Sequence, residues 1–200
     1  MAVFRTFSGQ VSGFLCLLAL PAIAWSVSFA YAEPSVTERY VFYDVRGSTA
    51  AELRNNMNRL GTKASDGKTY DGFINWNVGW RFKYVPTASG CAMTRVQAIV
   101  DISYTMPRWV GRHAAPRELR DKWDRFCEAL KRHEEGHKNI AVKGASEIER
   151  ALLTMSSRDC VQLDAKANAL GERLLEKIRE REREYDALTN HGITQGTRFP

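Results

Sequence analysis

Residues 130–137 read Leu-Lys-Arg-His-Glu-Glu-Gly-His, so His133, Glu134 and His137 form the pattern His-Glu-x-x-His. On a helix, side chains four apart share a face, with Cβ atoms about 5–6 Å apart. Two imidazoles at that spacing can reach one metal ion together. Glu134 then projects beside the ion and not onto it, where a general base takes a proton from metal-activated water. The pattern predicts a zinc hydrolase site, most often that of a metallopeptidase.

Such a site must be carried on a helix with the histidines facing inward. Apolar or small residues recur at Leu119, Trp123, Phe126, Leu130, Ile140, Gly144, Ile148 and Leu152, and both histidines fall on that stripe. A catalytic zinc needs three protein ligands and one open position. The chain has four histidines, and the other two are His113 and His191. A third histidine six residues after the second is excluded, because that position is Lys143. Glu147 lies too far along the same helix, and Glu172 and Glu176 read as solvent-facing. A second helix folding back antiparallel rises about 1.5 Å per residue, which returns its end toward the metal helix. That brings His191 within reach of His133. Asp186 is the alternative third ligand, or the carboxylate that fixes a ligand's tautomer. Tyr185, His113 and Tyr104 are candidate oxyanion donors that the sequence does not rank.

Around this helix, residues 40–45 predict a strand and Ala50 to Leu60 a helix capped by Ser48 or Thr49. Residues 62–72 read as a loop. Trp76, Val78, Trp80, Phe82 and Tyr84 alternate within residues 73–85, a period of two that predicts a half-buried strand. Residues 91–104 predict its hairpin partner, with the sheet ending near Met106-Pro107. Pro116 opens the metal helix in its first turn, and the helix runs to about Met155. The second helix begins near Asp159 or Cys160, with a stripe of Leu163, Ala167, Leu170, Leu174, Ile178, Tyr185 and Leu188. Residues 190–200 read as an irregular tail.

The 200 residues suffice for one domain with a real core. Arg5, the apolar run from Phe14 and the exit Ala30-Tyr31-Ala32 predict a signal peptide over residues 1–32. The mature domain is then 33–200, exported to the periplasm or secreted, with no stable membrane anchor after cleavage. Of the four cysteines, Cys16 goes with the leader. Cys127 on the metal helix reads as a small buried filler, and Cys91 and Cys160 are the disulfide candidates. No Cys-x-x-Cys exists to suggest a cysteine zinc site. The net charge is +6, but acids and bases interleave through residues 176–184. That pattern is a solvated helix face, not a nucleic-acid stripe.

Further features group together. They are Gly-x-x-Ala-x-Glu-Leu at 47–53, Trp76 with Trp80, Cys91, Pro107-Arg108-Trp109, Trp123 and the motif at 133–137. The tail Tyr185-Asp186-x-x-Thr189-x-His191-Gly192, then Gln195-Gly196-x-x-Phe199-Pro200, completes them. With these the chain resembles a family of bacterial proteins described as predicted secreted zinc-dependent proteases. The resemblance implies that the tail belongs with the metal motif, that Cys91 pairs with Cys160, and that Cys127 stays free.

The expectation is an α+β, zincin-like domain, with a small antiparallel sheet packed on the long metal helix and a second antiparallel helix. Zn2+ is held by His133, His137 and His191, Glu134 is the catalytic base, and the substrate is a peptide or protein held along an edge strand. A cell-wall amide hydrolase and a non-catalytic metal-binding envelope module are the rival readings.

Overall fold

A twenty-residue strand, β5 (Gly90–Trp109), is the centre of the sheet. Its even-numbered residues Val96, Ala98, Val100, Ile102, Tyr104 and Met106 are buried against the helices. The computed structural model describes residues 33–64 and 67–200, and the predicted signal peptide lies outside them. β4 (Phe73–Thr87) pairs with β5 as the expected antiparallel hairpin, with Trp76 opposite Ile102 and Val78 opposite Val100. β1 (Ser35–Val45) lies on the other side of β5 and runs parallel to it, with Tyr40 opposite Tyr104.

The sheet is therefore mixed, which corrects the expectation of an antiparallel one. A parallel pair needs a long crossover. Here α1 (Ala50–Leu60) and the segment after it supply that return. β1 also begins earlier than its aromatic run suggests, at Ser35. β5 continues through Pro107 to Trp109, past the predicted end. The proline is tolerated because β4 pairing stops at Thr105, so that stretch of β5 has a neighbour on one side only.

Thr49 caps α1 in a reciprocal arrangement with Glu52. After α1 the chain forms a small ladder of β2 (Thr62–Lys63) and β3 (Thr69–Tyr70) within the predicted loop. Arg54 of α1 then binds Asp71, with Nη1 2.8 Å from Oδ2, and the Tyr43 hydroxyl donates to the Asp71 carbonyl at 2.7 Å. These contacts fix where β4 starts, beside the motif helix.

That helix is α2 (Arg117–Leu153), with Pro116 as its capping residue one position before the first turn. α3 (Cys160–Thr189) packs back along it, capped by the Asp159 side chain on the Gln162 N–H. Between them β6 (Ser156–Ser157) adds to β5 beside Cys91, which brings Cys160 into a disulfide with Cys91. Cys127 is free and half-buried. The stripe on α3 holds at Leu163, Ala167 and Ile178. It fails at Leu188, which is 82% exposed and lies off the packed face that passes through Asp186 and the buried Thr189.

The tail is ordered by its packing. After a short turn at Ile193–Gln195, Phe199 is buried against Trp123 and Phe126, with ring centroids 5.5 and 5.1 Å away. Burying such a ring contributes roughly 1.5–3 kcal/mol, enough to hold a short segment against α2. Among the described residues no helix is long and apolar enough to cross a membrane.

Candidate metal centre

His133, Glu134 and His137 are all buried on α2. The imidazoles lie edge to face, with centroids 4.9 Å apart. Each turns Nε2 to the same oxygen of α3, Asp186 Oδ1, at 3.3 Å from His133 and 3.1 Å from His137. The three ligand atoms all lie within 4.8 Å of one another. In a tetrahedral zinc site with bonds of about 2.0–2.1 Å, neighbouring ligand atoms are separated by about 3.3 Å. The two observed separations match such edges.

Asp186 is thus the residue that closes the group with both motif histidines. His191 stands next to it, with Nδ1 3.5 Å from the same Asp186 oxygen and the side chain 41% exposed. Its position depends on a turn in which Asn190 and His191 both take positive φ, 48° and 50°, with the His191 N–H bonded to the Asp186 carbonyl. The Tyr70 ring lies 5.5 Å from the His191 ring and brings the β3 segment to this side of the centre.

The remaining ring nitrogens are also held. Glu182 accepts from His137 Nδ1, and Gln195 Oε1 accepts from His133 Nδ1 at 3.0 Å. A ring that donates from Nδ1 keeps the Nε2 lone pair for a cation. Tyr185 stacks on His133 at 5.2 Å, and its hydroxyl donates to the His133 carbonyl at 3.2 Å. Gln195 in turn donates to the Tyr185 hydroxyl at 3.1 Å. Two glycines permit this closeness. A Cβ on Gly136 would lie 2.1 Å from the Tyr185 hydroxyl, and one on Gly192 would lie 2.8 Å from His133 Cγ.

Glu134 lies near the start of β4. Burial pushes its carboxyl up to about 7, against the opposing pull of His133 and His137 and a slight downward pull from the Ile74 backbone. For His137 burial acts downward, but hydrogen bonds to Asp186 and Glu182 outweigh it and raise the imidazole to about 9. Burial would raise Asp186, but its bonds from His133 and His137 hold it well below the usual carboxylate range.

Of the predicted site residues, His133, Glu134, His137, Asp186, Tyr185 and His191 come together. The Tyr185 hydroxyl is engaged with the His133 backbone. His113 is exposed in the turn Arg112–Ala114. Tyr104 lies within the sheet beneath Tyr40, 4.6 Å between centroids. Glu182 and Gln195 are the residues that sequence reasoning missed. Glu182 lies in a run of alternating charges that reads as solvated, and the usable signal is its spacing of four from Asp186. Gln195 carried only the tail pattern.

Two imidazoles and a carboxylate are ligands for a divalent cation, and the buried acid beside them can exchange a proton near neutral pH. The chain matches no curated protein and no solved structure. Residues 40–192 match the family described as bacterial protein of unknown function (DUF922), and the chain belongs to that family.

Proposed function

We propose that this protein is an exported zinc-dependent hydrolase acting on peptide bonds. The observation that carries the reading is the convergence of His133 Nε2, His137 Nε2 and Asp186 Oδ1 within 4.8 Å of one another, with Glu134 buried beside them. The donor set fits the ion. His133, His137 and Asp186 would hold it, with His191 adjacent. When bound, zinc supplies a Lewis acid that polarises the scissile carbonyl and makes water a better nucleophile.

The chain's own residues supply the remaining chemistry. Glu134, raised to about 7, takes a proton from the attacking water and returns it to the leaving amine. Glu182 and Gln195 hold the imidazoles in the tautomer that leaves Nε2 free. β4 has one unpaired edge. Its start at Ile74 lies near Glu134, so that edge runs past the base and offers backbone groups to an extended peptide.

The test has two readouts. Purified protein should contain about one equivalent of zinc per chain by elemental analysis. Iron in its place would favour redox chemistry, for which two histidines and a carboxylate are also suited. Glu134→Gln should retain the metal and lose turnover on peptide substrates. Turnover of peptidoglycan amides alone would support the cell-wall rival. A metal-binding protein with no turnover on either substrate would support the non-catalytic module.

A further inference from the structure

We propose that the basin flanking the C-terminal turn binds a phosphate group, apart from the metal centre. This goes beyond the hydrolase reading and does not rest on it. The concavity measures about 600 Å³ and is lined by Lys122, Arg125 and Arg132 of α2 and by Arg198 of the tail, with Glu128 the one acidic side chain of its lining. That acid is committed to Arg132 at 3.5 Å, and Lys122 is bound to Glu118 at 2.8 Å. Arg125 and Arg198 have no ion-pair partner among the described residues. The nearby acids are paired elsewhere, Asp121 with Arg117 and Asp124 with Arg112.

With Lys122 matched to Glu118 and Arg132 to Glu128, the guanidiniums of Arg125 and Arg198 leave a positive excess in the recess. Guanidinium forks match the oxygens of phosphate in geometry as well as charge. The recess is larger than a lone phosphate, so it suits an ester with a group attached. Gln195 lines the basin and also holds His133 Nδ1, so the basin meets the back of the metal centre.

The experiment uses chelator-treated full-length mature protein, so that phosphate cannot bind a metal at His133. Inorganic phosphate is titrated by calorimetry, and phosphatidylglycerol–phosphatidylcholine vesicles are tested by flotation. Saturable binding of either probe is expected, weakened at least tenfold in Arg125→Ala/Arg198→Ala with an unchanged melting temperature. Binding of inorganic phosphate identifies a soluble ester as the source, and binding of vesicles alone identifies a lipid headgroup. The proposal is overturned if neither probe saturates, or if the double variant binds as the wild type does.

Discussion

The carboxylate of Glu182 holds Nδ1 of His137, while the other nitrogen of that ring faces Asp186. Glu182, four residues before Asp186 on α3, thus sets the tautomer and the aim of His137 on α2. Glu182→Ala should weaken zinc affinity about ten- to a hundredfold, measured by competition with a chromophoric chelator. Glu182→Gln, which keeps an acceptor, should recover part of the loss. Equal affinity in all three proteins would mean that Glu182 does not orient His137.

Gly136 and Tyr185 are coupled by contact. Gly136→Ala should cost about 1–3 kcal/mol from overpacking against the tyrosine, although alanine is the better helix former. In a Tyr185→Ala background the same change should cost nothing or stabilise. Denaturant unfolding of the four proteins in a double-mutant cycle measures this coupling. Simple additivity would contradict the contact.

The ionisation of the centre predicts how metal-free stability varies with pH. Glu134 moves up from 4.5 to about 7 on folding. The folded state therefore holds that proton more tightly, and the advantage is lost as pH rises through 7. His137 moves up from 6.5 to about 9, so its contribution is complete below pH 6.5 and is lost as pH rises through 9. The His137 shift corresponds to on the order of 3 kcal/mol at most, shared among interacting groups. Asp186 is lowered, so its contribution is present above its usual range and lost in acid. The melting temperature of the metal-free protein should fall from about pH 5 to 9, a window set by those two upward shifts. Zinc should reverse the trend, because its ligands must be deprotonated. Calorimetry across that range, with and without zinc, checks both. A flat metal-free profile would show that the cluster is not ionised as described.

The Cys91–Cys160 bridge closes a sequence separation of 69 residues and joins β5 to the start of α3. Replacing both cysteines by serine should cost about 2–5 kcal/mol. Cys127→Ser should cost about 1 kcal/mol or less, since Cys127 is only half-buried and unbridged. Urea titrations of the two variants distinguish the cases, and equal losses would mean that the bridge contributes little.

Much of the fold was legible wherever the pattern was local. The alternation from Trp76 to Tyr84 gave β4, a Ser48 or Thr49 cap gave the start of α1, and the stripe through Trp123 and Leu130 gave α2. The place of β1 was not legible, because parallel pairing with β5 is a contact across the chain and its exposed residues carry no alternation. Leu188 is exposed because the packed face of α3 here runs through Tyr185, Asp186 and Thr189, and an apolar residue three positions after Tyr185 fits the periodicity without lying on that face. In the site, the spacing of His133 and His137 was sufficient. The choice between Asp186 and His191 stayed open, because it depends on the left-handed turn at Asn190 and His191, two residues that adopt positive φ only at a cost.

Because Asp186, Gln195 and the Phe199 anchor all follow the motif by about fifty residues or more, the motif is inert during most of synthesis. A ribosome that has finished α2 has made both imidazoles and the acid but no cage. A nonsense mutation anywhere between Thr154 and Tyr185 would leave a fragment with an intact signature and no third donor. If the centre takes a metal as proposed, loading would wait until the last turn of the protein has docked.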